Sequence, residues 1–399
     1  MHARILFAVL TAFVAATAYA AGPQAVAVHT FACPGNCSNG AIPKSITQGS
    51  DGNFYGVAQQ STSTVPDEGG VVYSLTPAGA FTNLYKFVPG KDKNYLNGSN
   101  PGLIVEGADG KLYGTTYFGG TDNDGTVFRL NRDGSGFQSL HSFCGFACGD
   151  IAPFEPLVVA GDGNVYGSES NGGDVSCGYF GRCGAIFRVT AATGAYEIVV
   201  NFNFETTGLN PTNLVVGSNG TLYATTEGSS GPLLVHYDEV AGTVEASALA
   251  LPSGITDSFP SALVLGPNGN LYGMYTFVSD DGTQVTGVFE VHPDGSNLHI
   301  FPAIANFPLA TSDGFVVGSD GNLWMAQYQA QSGWGDILTI SPKDGTLVQT
   351  LSPFSEKSAV GADPFDLISG SDGKLWGVST LFGQVPKGSG AGVVFNLTP

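Results

Sequence analysis

The sequence predicts an all-β chain folded as a seven-bladed β-propeller of four-stranded antiparallel blades, with an N-terminal strand closing the last blade. Three observations predict it: one short phrase recurs seven times, each copy carries the pattern of two hairpins, and the chain ends supply complementary parts of one copy. The phrase reads SDGNFYG at 50–56, ADGKLYG at 108–114 and GDGNVYG at 161–167. Its turns fall at Asp51, Asp109, Asp162, Asn219, Asn268, Asp320 and Asp372, spaced by 58, 53, 57, 49, 52 and 52 residues.

Within each copy an apolar run leads into Asp-Gly or Asn-Gly, and a second run ends in an aromatic, as in GLIVEG…KLYGTTY. Two such runs around an Asx-Gly pair form a hairpin, because these residues tolerate the positive φ that tight turns require. A second hairpin follows, as in GTVFRLNRDGSGFQSLHSF (125–143), so each unit has four strands, A to D. Four strands in about 50 residues match a propeller blade. The last copy stops after its third strand, while AVAVHTF at 25–31 reads like the fourth strand elsewhere. Pairing the two would close the ring and remove an exposed edge. The blades are expected at about 43–100, 101–153, 154–208, 209–258, 259–307, 308–360, and 361–399 with 25–31.

Three columns explain the phrase. Four residues past the Asx stand Tyr55, Tyr113, Tyr166, Tyr223, Tyr272, Trp324 and Trp376, which we expect between blades. Two before it stand Gly49, Gly107, Ala160, Gly217, Gly266, Gly318 and Gly370, where a small residue permits close approach or a bulge. Eight before it, Pro43, Pro101, Pro211, Pro260 and Pro364 fix φ as the chain enters strand A.

Composition narrows the partners. Residues 1–20, MHARILFAVLTAFVAATAYA, combine Arg4, an apolar run and the small residues Ala18 and Ala20 around Tyr19, the plan of an export signal. A retained anchor is the alternative, and the run is too short to favour it. The remaining single domain, 21–399, has 13 basic against 33 acidic residues, a formal charge of −20 that repels nucleic acid and anionic lipid. Solubility accounts for such a charge; attraction of cationic ligands or divalent ions is the sharper reading. We expect a secreted or periplasmic product with no nucleic-acid partner and no membrane insertion after cleavage. Export also suggests local disulfides, Cys33/Cys37, Cys144/Cys148 and Cys177/Cys183, with zinc as the competing use of these spacings.

With those residues in view, LIVEGADGKLYGTTYFGGTDNDGTVFRLNRDGSGFQSLHSF (103–143) resembles the choice-of-anchor tandem repeat GloVer family, whose units read like G-x-D-G-x-L-Y-G-T-T…G-G…G-T-V-F-x-L. The resemblance spans essentially the whole chain after residue 20, with copy 2 the best match and copies 4 to 6 drifting. It implies an exported bacterial β-propeller without an assigned activity. The family name refers to C-terminal sorting signals, whereas this chain ends in VVFNLTP, a strand pattern, which favours a soluble product. A weaker resemblance links the repeat to the streptogramin lyase group, whose units look like D-G-x-x-W-F-T-E. Here only Trp324 and Trp376 keep the tryptophan, and the glutamate is missing, so its catalytic residues do not carry over.

A propeller site is expected at one channel mouth, built from the D-to-A and B-to-C connections, where all six cysteines also fall. The histidines are badly placed for catalysis: His29, His141 and His299 on fourth strands, His236 and His292 on third strands. Lys44, Glu106, Asp313 and Asp366 are the main channel charges; an acid–base or metal pair of Glu106 and Asp366 would join blades that are not neighbours. Asp122 and Asp124 in GGTDNDG could supply some of the oxygens calcium needs, or could simply close Asx turns, as could Asp280/Asp281 and Asp67/Glu68. Tyr117, Phe118, Tyr179, Phe180, Trp334 and Phe382 offer ring faces for a sugar or peptide, or cover their own loops. The function expected is a non-catalytic binding or interaction scaffold with an extracellular carbohydrate or protein partner. A metal-dependent lyase or hydrolase at the channel mouth is the alternative.

Overall fold

The computed structural model describes residues 23–32, 41–59, 69–90, 95–145, 157–170, 172–173, 176–177, 181–250, 259–278, 284–301, 315–327, 333–383 and 390–399. These form seven four-stranded antiparallel sheets. In chain order the blades occupy 43–86, 99–142, 158–201, 209–248, 259–300 and 316–351; the seventh joins 362–397 to the N-terminal strand Val26–Ala32. That strand pairs with Gly390–Leu397, Val26 opposite Asn396 and Thr30 opposite Val393. It also docks on blade 1, where His29 stacks on Phe81 at 4.3 Å and Phe31 meets Tyr73 edge-on at 5.3 Å. Burial there pushes the His29 imidazole down to about 4.

The repeated phrase is a closed hydrogen-bonded unit. In blade 1 the Gly52 N–H donates to Gly49 O at 2.9 Å, the Asn53 N–H to Asp51 Oδ1 at 3.1 Å, and the Tyr55 hydroxyl to Asp51 Oδ2 at 2.8 Å. Trp324 and Trp376 donate their indole N–H to Asp320 and Asp372 in the same way, at 3.0 and 3.2 Å. Positive φ falls on the turn glycine alone, Gly52 at 81° and Gly110 at 74°. The Asp or Asn therefore serves as an acceptor and does not take the left-handed conformation itself, a correction to the turn expected from sequence.

The aromatic column lies between blades. Tyr55 joins Leu112 and Phe128 of blade 2, Tyr113 joins Phe187 of blade 3, and Trp376 joins Phe54 of blade 1, stacked at 4.0 Å. The small column follows from it: a Cβ on Gly49 would stand 2.6 Å from the Tyr55 ring, and one on Gly370 2.7 Å from Trp376.

The prolines form a second joint between blades. Ile42, Asn100, Asn210 and Asp363, each just before its proline, hold φ of 54°, 52°, 53° and 55°. Their N–H groups donate to Ala391, Gly69, Cys183 and Trp334 of the preceding blade at 2.7, 2.6, 3.0 and 2.8 Å. The following ring seats on a positive-φ glycine; a Cβ on Gly392 would be 2.3 Å from Pro43 Cδ. Asn and Asp tolerate this backbone, whereas Ile42, β-branched, is strained in it. Pro156 and Pro308 lie outside the described residues.

Candidate functional site

The inner strands line the channel, and five of them carry a register shift just past the proline. Such a bulge breaks strict alternation and re-aims side chains. In blade 1 it falls at Lys44, in blade 2 at Gly102, and in blade 7 across Phe365 and Asp366. Lys44 and Phe365 occupy corresponding positions of adjacent blades, and the Lys44 ammonium sits 4.2 Å from the Phe365 ring centroid. One residue further, Asp366 accepts the Ile46 N–H at 2.9 Å and a hydrogen bond from the Ser45 side chain, tying blade 7 to blade 1.

Asp366 retains some accessible surface, yet its carboxyl is packed deeply enough that burial pushes its pKa up to about 7. The Ile46 N–H and Ser45 favour the charged form and only partly offset this. Behind it stands Tyr73, buried, whose hydroxyl has no hydrogen-bond partner; burial chiefly, and the Asp366 charge next, push that phenol well above its ordinary value.

Lys44, Phe365 and Asp366 face a cavity of about 160 Å³ between blades 7, 1, 2 and 3, which Tyr73 does not line. Its polar wall is Lys44, Ser45, Thr47 and Asp366, and its apolar wall includes Leu103, Leu157 and Ile368. Tyr117 closes one side, its ring lying over Gly102, where a Cβ would be 2.6 Å away. A cavity of about 150 Å³ accommodates one benzene-sized molecule.

Of the residues singled out from sequence, Tyr117 is in this cavity. Phe118, next to it, is half exposed on the rim. Trp334 and Phe382 meet each other edge-on at 5.7 Å on the rim between blades 6 and 7 and do not line the cavity. Tyr179, Phe180, Cys33, Cys37, Cys148, Asp67, Glu68, Asp280, Asp281 and Asp313 lie outside the described residues. Asp122 is exposed and Asp124 packs near Gly145; among the described residues no three His, Cys, Asp or Glu side chains gather as a metal site. Glu106 belongs to another cluster, at the turn end, where it accepts from the Ser50 N–H and pairs with Arg132 at 3.2 Å. It is therefore spent on a joint between blades 1 and 2 and does not face Asp366. Cys177 and Cys183 are bonded, and Cys144 is also in a disulfide. His292 lies one residue past its strand, Gln284–Val291.

Sequence reading noticed Lys44 and Asp366 as channel charges but did not join them into a site. The missing signal was alignment on the proline, which puts Ser45, Leu103 and Asp366 in one column two residues beyond it.

The same repeat is recognisable by comparison with known families. The chain carries the Gloeobacter/Verrucomicrobia repeat over residues 15–180. No curated protein matches the chain. Among solved structures, oligogalacturonate lyase from Vibrio parahaemolyticus has a TM-score of 0.56 at 11% identity, over 94% of this chain and 93% of that one. A Lactobacillus plantarum protein scores 0.52 at 17% identity, over 77% and 84%. A candidate 6-phosphogluconolactonase from Bacteroides fragilis scores 0.51 at 16%, over 83% and 88%. At these identities the likeness is one of fold.

Proposed function

We propose that this chain is an exported, non-catalytic binding propeller whose ligand enters the channel cavity between blades 7, 1, 2 and 3. The observation that carries the reading is the convergence of Lys44 and Asp366 with the rings of Tyr117 and Phe365 on one cavity. Small-molecule sites have this make-up, mostly apolar walls with a few placed polar groups. Export is supported by the signal-like residues 1–20 and by the disulfide Cys177–Cys183.

The test is thermal unfolding of oxidised 21–399 with oligosaccharides, small organic acids and amines, and calcium. A ligand at a hundred times its Kd raises stability by about 2.7 kcal/mol. A shift abolished by Lys44→Met supports the channel site; a shift indifferent to it overturns that site. A calcium shift lost on Asp122→Asn would return the acidic loop to the centre. The enzyme reading has one specific support, an Asp366 carboxyl at about 7, where general acid–base catalysis works best. Turnover of a bound compound, lost in Asp366→Asn, would decide for it.

A further inference from the structure

The structure assigns to this channel a small uncharged aliphatic diol as its ligand class, an inference that rests on the channel being a binding site. Two inner strands supply the polar contacts, Pro43–Gln48 of blade 1 and Ala362–Ser369 of blade 7. From them Thr47 and Asp366 line the same cavity, and each keeps some accessible surface.

Both side chains match a hydroxyl. An ionised carboxyl has about four lone-pair sites. At Asp366 the Ile46 N–H, the Ser45 side chain and the Leu367 N–H take up to three of them, which leaves a place for a donor from the cavity. Once protonated, the same carboxyl donates, and with a pKa of about 7 it visits both states near neutral pH. An alcohol O–H donates and accepts, so it serves either state; a ketone or an ammonium serves only one. Thr47 brings one donor and two acceptor sites of its own, which a second ligand hydroxyl matches.

The other walls decide charge and size. Lys44 is already engaged, by the Phe365 ring and by a further contact, so nothing is asked of its ammonium. A carboxylate ligand would then lie against Asp366 without a cation of its own, and an ammonium ligand would share the cavity with Lys44. Taking a charge out of water is costly unless it is well paired, and an uncharged ligand avoids both conflicts. Leu103, Leu157 and Ile368 are apolar and suit a short carbon chain. A volume of about 160 Å³ limits the whole to roughly the size of benzene, which admits a small diol and excludes a disaccharide.

The test is a ligand-observed NMR titration of oxidised 21–399 at pH 8, where Asp366 is mostly ionised. It would compare propylene glycol and trimethylene glycol, which differ in hydroxyl spacing, with isopropanol, acetone, isopropylamine and isobutyrate. Isopropanol should bind about tenfold more tightly than acetone, which has no donor for a carboxylate, and at least one glycol about threefold more tightly again. Both charged compounds should bind more weakly than that glycol. Thr47→Val, which keeps the side chain's shape, should bring the glycol down to isopropanol and leave isopropanol unchanged. Asp366→Asn, whose amide also donates, should abolish the preference for isopropanol over acetone. Should that variant unfold, Thr47→Val still tests the second hydroxyl, and Leu157→Phe, which fills the apolar wall, should abolish glycol binding.

Acetone binding as well as isopropanol would overturn the inference, as would glycols no better than isopropanol. Tightest binding by isopropylamine or isobutyrate, lost in Leu157→Phe, would overturn it and leave the channel reading intact. Glycol binding unchanged in Thr47→Val, Asp366→Asn and Leu157→Phe would overturn both.

Discussion

The turn face of the ring and the upper channel are built from the same inner strands, and they differ in how they use repetition. At the turn face, each of seven copies contributes the same acceptor and an aromatic between blades, so the seven joints are near copies of one another. In the upper channel, the position one past the proline is Lys44 in blade 1, Gly102 in blade 2 and Phe365 in blade 7, and the next is Ser45, Leu103 and Asp366. Repetition there would make a symmetric tube; its loss makes a pocket with distinct walls. The scaffold lies where the copies agree, and the candidate site lies where they diverge.

The sharpest way to break this comparison is to truncate one ring at each place. Trp376 is buried at the joint of blades 7 and 1, stacked on Phe54 and donating to Asp372. Trp376→Ala removes that contact and leaves a cavity, at a cost of about 3–5 kcal/mol. Phe118→Ala, at a half-exposed rim position of blade 2, should stay within about 0.5 kcal/mol. Urea unfolding of both variants checks it; equal losses would mean that the rim aromatics belong to the scaffold.

That division also decides what could be read from sequence. Strand number, ring closure and the aromatic column were legible because a period near 50 repeats the same physical demand, and each copy confirms the others. The closing strand was placed within one residue, at Val26–Ala32 against an expected 25–31. The proline column was visible but its purpose was not: the N–H of the preceding residue reaches into the neighbouring blade, and no local pattern reports a bond between residues such as Ile42 and Ala391. The site was less legible still. Tyr117 was found because aromatics near a mouth stand out, whereas Lys44 and Asp366, 322 positions apart in sequence, meet only through ring closure. Asp366 and Glu106 looked alike as inner-strand acids; burial in one case and Arg132 in the other separate them.

Next in size is a pH effect confined to the channel. The Asp366 carboxyl has a folded pKa of about 7 against an ordinary value of 3.8, so between these limits the native state holds a proton that the unfolded chain has released. Its contribution to stability is complete below about pH 4 and is lost as pH rises through 7. His29 works in the opposite direction: held near 4, it leaves the native state with fewer protons, and stability rises from pH 4 towards 6.5. The two oppose in the wild-type curve, so the informative quantity is the difference from Asp366→Asn, which keeps an acceptor for the Ile46 N–H. Between pH 4 and pH 8 the Asn variant should gain on the wild type by on the order of 2 kcal/mol, read from urea midpoints at each pH. Parallel curves would mean that the carboxyl titrates as an ordinary exposed one, and the electrostatic contrast between turn face and channel would go with it.

The smallest effect tests whether divergence between copies has a cost. Gly56, Gly114, Gly167, Gly273 and Gly377 each stand opposite an aromatic of the third strand, whose ring occupies the space of the missing Cβ. That aromatic is Phe128, Phe187, Phe289 or Phe395 in four blades and Tyr73 in blade 1. The ring fits equally well in each case, so the hydroxyl is an addition to a working joint. In Tyr73 it is buried and without a hydrogen-bond partner, beside the strand that carries Ser45. Leaving a polar group unsatisfied costs about 1–3 kcal/mol, and deleting it restores the arrangement of the other blades. Tyr73→Phe should therefore stabilise the protein by about 1 kcal/mol, read from urea midpoints. A loss of stability would show that the hydroxyl is held by solvent shared with the channel, making Tyr73 part of the pocket's polar wall and moving blade 1 further from its sister copies.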